Sequence, residues 1–239
     1  MDLLAKVASA AAGWPAGSLG AVYFETADGG LKRLAGNDAV LALVSLPFFL
    51  QHETGLRLQA RLQVAEEAGP LATWSLAARR GRLTSPAALD GFEITGVSGY
   101  APEFIRGPVL GAWGAVPASA RITSTITVLS ALRRAASGEA VAVVLDDAQA
   151  RAMASLPFAA DLEIVARSAP MPGTLLCTIG GRLTARQANG IVGGLASLPT
   201  RSDAADLLKT MRVKSFEPID ARALEAARRL FAGTGAKAP

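Results

Sequence analysis

Residues 39–49 read Ala39-Val40-Leu41-Ala42-Leu43-Val44-Ser45-Leu46-Pro47-Phe48-Phe49, an apolar run of strand length that ends in a serine and passes through a proline into a helix. Residues 92–102, Phe92-Glu93-Ile94-Thr95-Gly96-Val97-Ser98-Gly99-Tyr100-Ala101-Pro102, repeat the device. Each places a hydroxyl beside helix-start N–H groups, where the helix dipole adds partial positive charge. The pair therefore reads as two halves of an anion site. Ordinary helix capping is the competing explanation, since serine is a favoured cap.

Outward from the first stretch, residues 2–12 have helical composition and stop at Gly13-Trp14-Pro15. Residues 19–24 (LGAVYF) read as a strand and residues 31–34 as a short helix. This α-β-α-β order with short connections predicts a parallel sheet covered by helices, which binds ligands at the carboxyl ends of its strands. From Phe92 a second βαβ series runs through strands near residues 120–124, 140–145 and 162–166, with helices between. Arg167-Ser168-Ala169-Pro170-Met171-Pro172-Gly173 is the strongest linker signal, ahead of a strand over residues 174–179. Three helices, over residues 184–195, 202–208 and 221–231, complete the chain. Gly190, Gly193 and Gly194 lack nucleotide-loop spacing and suit close helix packing.

The chain has 239 residues, 51% of them hydrophobic and 18% charged, which suits a folded core and excludes disorder. No apolar run reaches the length of a membrane-spanning helix. A net charge of +4 and 5% aromatic residues argue against nucleic acid as a partner. The cluster Arg79-Arg80-Gly81-Arg82 reads as a solvated turn. One cysteine, Cys177, excludes an internal disulfide, and one histidine, His52, excludes a multi-histidine metal site. Neither a catalytic nucleophile with its base nor a metal cluster is recognisable, and no cofactor is called for. Residues 1–6 lack the basic start and apolar stretch of a secretory leader.

Four segments in order, residues 38–53 (DAVLALVSLPFFLQHE), 89–102 (LDGFEITGVSGYAP), 137–147 (SGEAVAVVLDD) and 167–177 (RSAPMPGTLLC), resemble the phosphate, phosphite and phosphonate substrate-binding proteins of ABC transporters. The resemblance implies an α/β, two-lobed type 2 periplasmic-binding-protein fold. Each lobe would be a mainly parallel sheet flanked by helices, with the ligand cleft between lobes. Lobe one would be residues 1–80 and 173–239, and lobe two residues 81–172, joined by crossings at 76–82 and 167–173.

The ligand contacts implied are Ser45, Leu46 and Phe48 at the lobe-one helix start. On lobe two they are Ser98, Gly99 and Tyr100, with Asp146 accepting a hydrogen bond from a protonated ligand group. From the residues, Thr123, Ser124 and Thr125 at a strand end before a helix suit a further contact, with Thr125 the one chosen, or a helix cap. From the residues alone, Tyr100 suits either the cleft or the core, Trp74 suits the core, and one of Asp146 and Asp147 suits a helix cap. The family's opening strand has no counterpart ahead of the first helix here. The implied function is capture of a small oxyanion by hinge closure, in the periplasm, as a monomer partnered by an ABC permease. The alternative is an enzyme or sensor on the same fold acting on a small organic acid.

Overall fold

The computed structural model describes residues 2–235. From the N-terminus run α1 (Asp2–Ala12), α2 (Ala27–Ala35), β1 (Leu41–Ser45), α3 (Leu46–Leu56), β2 (Leu58–Ala65) and β3 (Leu71–Ala72). Next come β4 (Ser75–Arg79), β5 (Glu93–Gly96), α4 (Pro102–Phe104), β6 (Arg121–Ser124), α5 (Val128–Ser137), β7 (Val141–Leu145), α6 (Asp147–Met153) and β8 (Leu162–Arg167). Last are β9 (Met171–Pro172), β10 (Thr174–Ile179), α7 (Ala185–Ala196), α8 (Ala205–Met211), β11 (Ser215–Glu217) and α9 (Ala221–Gly235). The chain divides into two units: residues up to Leu71 with Pro172–Ala221, and Ala72–Met171 with the stretch from Arg222.

The first unit's sheet has strand order β1-β10-β2-β11, and every adjacent pair is antiparallel. The expected mainly parallel sheet is corrected here, for a reason of topology. β1 and β2 do run in the same direction, as a crossover through α3 requires. β10 arrives from more than a hundred residues away and inserts between them, running against both. Helices α1 and α7 cover one face, with Val7, Ala8, Leu62, Val64, Leu176, Ile191 and Leu195 buried together. The glycines of α7 let α1 approach. A β-carbon on Gly190 would overlap the Ala11 carbonyl, and one on Gly194 would lie 2.7 Å from the Ala11 β-carbon.

Residues 19–24 form no strand, and Val22 and Tyr23 are 60% and 75% exposed. Their β-branched and aromatic composition describes a fit to a half-buried pleated surface. Among the described residues, no neighbouring strand supplies that surface.

In the second unit the order is β6-β5-β7-β4-β8. β5 lies parallel to β6 and β7, whereas β4 is antiparallel to β7 and β8. The core on one face joins Ala77, Leu132, Ala135, Val141, Val143, Leu145 and Leu162. Trp74 is buried too, its ring nearly perpendicular to that of Phe104 at 5.1 Å between centroids. The arginines expected in a solvated turn tie that turn down: Arg80 donates to the carbonyls of Ala160 and Leu162, and Arg82 to that of Gly138.

The chain passes between units at three places. The first two, β3 and β9, pair as a two-stranded ladder. Residues 75–79, which overlap the crossing expected at 76–82, instead form β4, with Leu76, Ala77 and Ala78 fully buried in the second unit's sheet. The third passage follows Ala221, so α9 from Arg222 groups with the second unit, where the resemblance placed it in lobe one. Gly107 accounts for this: a β-carbon there would overlap the Leu230 carbonyl of α9.

Candidate functional site

The three parallel strands of the second unit bring most of the expected residues to one edge. Gly96 pairs with Ser124 and Thr95 with Val143, so β5, β6 and β7 end side by side. Beyond those ends stand Ser98, Gly99 and Tyr100, then Thr125, then Asp146. Ser98 lies inside a short 3-10 turn, Val97–Tyr100, ahead of α4, so it is not the helix cap that the sequence suggests. Its half-buried hydroxyl makes no hydrogen bond among the described residues. Gly99 is buried against β6, where any β-carbon would overlap the Thr123 carbonyl. Tyr100 is half-buried.

Thr125 donates its N–H to the Gly96 carbonyl at 3.1 Å, and its hydroxyl accepts from the Thr127 N–H at 3.1 Å. Asp146 is the N-cap of α6. Its Oδ1 accepts from the Gln149 N–H at 2.8 Å while the Gln149 side chain accepts from the Asp146 N–H, a complete capping box. Asp147 turns the other way, accepting from the Thr73 N–H at 2.8 Å. The two carboxylates thus have separate structural partners.

In the first unit, Ser45 ends β1 and precedes α3, yet its side chain makes no capping bond. First-turn N–H groups of a helix have no intrahelical partner. That of Leu46 donates to the Gly173 carbonyl at 2.9 Å, and Pro47 has none, which leaves the N–H of Phe48. The Leu46 side chain is fully buried and belongs to the core. The buried ring of Phe48 packs against His52 at 4.6 Å, and burial pushes the His52 imidazole below its ordinary pKa despite Asp28 nearby.

Two exposed apolar side chains at the second unit's strand ends escaped the sequence reading. Val97 is 45% exposed and Ile126 is 89% exposed, beside Ser98 and Thr125. Nothing local marks them, since an isoleucine between threonines is ordinary strand composition. Among the described residues, no group of three or more His, Cys, Asp or Glu side chains is placed to hold a metal, and no helix is long and apolar enough to cross a membrane.

No protein-family model and no curated protein matches this sequence. Solved structures do match its fold. XAC2383 from Xanthomonas citri bound to ATP is 16% identical with a TM-score of 0.77, over 98% of this chain and 92% of that one. The binding protein component of an ABC phosphonate transporter from Pseudomonas aeruginosa, PA3383, is 14% identical with a TM-score of 0.68, over 97% and 79%. PhnD1 from Prochlorococcus marinus in complex with methylphosphonate is 10% identical with a TM-score of 0.68, over 98% and 91%. The chain therefore has the α/β fold shared by these ligand-binding proteins, built from two units.

Proposed function

We propose that the protein is a solute-binding component of an ABC-type importer that captures a small phosphorus oxyanion. The observation that carries this reading is the second unit's strand edge, where the Ser98 hydroxyl, without a partner among the described residues, and the turn around Gly99 stand beside Thr125 and Asp146. Hydroxyl and N–H donors at the carboxyl ends of parallel strands suit an oxyanion. Two of the structural neighbours support the class, because methylphosphonate and ATP, the ligands they are named with, both present phosphorus-bound oxygens.

Ser45 and the N–H of Phe48 supply the first unit's contacts, and Tyr100 covers the ligand from the second. Asp146 accepts from a protonated ligand oxygen or amine through the oxygen not used for capping. Closure of the two units on the ligand, an ABC permease as partner, a periplasmic location, a monomeric state and a non-catalytic role belong to the same proposal.

A thermal-shift panel tests it with phosphate, phosphite, methylphosphonate, aminoethylphosphonate and ATP against sulfate and organic acids. A ligand at about 100 times its dissociation constant is expected to add about 2.7 kcal/mol of stability. Small-angle scattering then reads closure as a smaller radius of gyration with ligand. If no member of the panel shifts the melting temperature, the proposal is wrong.

A further inference from the structure

We propose that the concavity around Arg61 in the first unit is a second, separate oxyanion site. It is a cavity of about 260 Å³ lined by Gln59 and Arg61 of β2, Thr178 and Ile179 of β10, and the start of α7 at Ala185. Thr178 pairs with Leu41 at one end of β1, whereas Ser45 pairs with Thr174 at the other. The cavity is therefore displaced about 13 Å along the strands from Ser45, and none of its lining residues is among the contacts proposed above.

A β-bulge puts Arg61 there. Along β10, Leu176 pairs with Leu62 and Cys177 with Ala60, which leaves Arg61 as the extra residue in β2. A bulge of this kind re-aims the side chain of its unpaired residue. The Arg61 Nε donates to Thr178 Oγ1 at 3.0 Å, and one terminal nitrogen donates to Gln59 Oε1 at 2.7 Å. The guanidinium is thus held in one orientation by two neutral side chains. Arg61 is half-buried and makes no ion pair among the described residues, and no carboxylate lines the cavity.

The donor inventory decides what fits. Because Gln59 spends its oxygen on Arg61, its amide presents the NH2 group. Thr178 accepts from Arg61 and keeps its O–H to donate. The second terminal nitrogen of Arg61 has no partner among the described residues. Arginine, amide and hydroxyl therefore offer donors with a net positive charge, which is the chemistry that recognises phosphate or carboxylate oxygens.

The test is an NMR titration of the full chain with inorganic phosphate at constant ionic strength, following the Arg61 Nε–H and the backbone amides of Thr178 and Gly181. Acetate and glycerol phosphate run in parallel to separate carboxylate, free phosphate and phosphate-ester binding. The expected result is a saturable shift at these positions for at least one of the three anions. Arg61→Gln is expected to abolish it at the two amides, and Arg61→Lys and Thr178→Val to weaken it by roughly tenfold or more. Ser98→Ala is expected to leave it unchanged, which separates this site from the one proposed for transport. Shifts that fail to saturate with every anion, or midpoints unchanged in both Arg61→Lys and Thr178→Val, would overturn the proposal.

Discussion

Gly99 and Thr123 are in backbone contact: the α-carbon of Gly99 lies so close to the Thr123 carbonyl that no β-carbon fits between them. The contact holds the Val97–Tyr100 turn against the end of β6, and so sets where Ser98 and Tyr100 stand. Gly99→Ala is expected to cost about 1–3 kcal/mol through overpacking. Chemical denaturation measures that cost. A variant as stable as the parent would mean that the turn shifts freely and does not position Ser98.

Ser98→Ala and Ser45→Ala each remove a hydroxyl that makes no capping bond. Each is expected to weaken binding of the ligand found in the thermal-shift panel by about 1–3 kcal/mol, and Ser98→Ala to do so with little change in melting temperature. Calorimetric titration gives the affinities. Normal binding accompanied by lowered melting temperatures would reassign both serines to local structure.

Asp146 has a structural role that must be separated from any ligand contact. Asp146→Ala breaks the capping box of α6 and is expected to cost about 1 kcal/mol of stability. Asp146→Asn retains a good cap while removing the charge. If this variant keeps the parent's stability but loses affinity for an amine-bearing or protonated ligand, Asp146 is a ligand acceptor. Unchanged affinity confines it to capping.

Glu93 links the second unit's stability to pH. The Thr123 hydroxyl donates to its carboxylate at 2.8 Å and Arg134 pairs with it at 2.9 Å. The Thr123 bond first, and the guanidinium after it, hold the Glu93 carboxyl below its ordinary value of 4.5, against the opposing effect of burial. A carboxyl with a depressed folded pKa stabilises the fold above its unfolded pKa, and the contribution is lost as pH falls through the folded value. Glu93→Gln is therefore expected to melt below the parent at pH 7 and to approach it below about pH 4. A gap that stays constant across that window would show that the pair contributes no pH-dependent stability.

Local chemistry determined a good part of this protein from its sequence. The apolar runs that became β1, β5, β7 and β10, a helix cap at Asp146 or Asp147, the buried Trp74 and close helix packing at the α7 glycines all follow from propensity, patterning and side-chain size, while the choice of Asp146 as the cap and of α1 as the packing partner came with the structure. The placement of Ser98, Thr125 and Asp146 at one edge was legible because successive parallel strands carry their following residues to the same side. Only the tertiary structure decided what depends on distant partners. β10 inserts between β1 and β2 and turns the first sheet antiparallel, α9 joins the second unit through Gly107, and residues 19–24 find no strand to pair with among the described residues. Arg61 looks like any strand arginine until β10 is laid beside it and the bulge leaves it unpaired. The reason is physical: a residue's own chemistry sets its local preference, but its partner, its face and its burial are set by segments that can lie a hundred residues away.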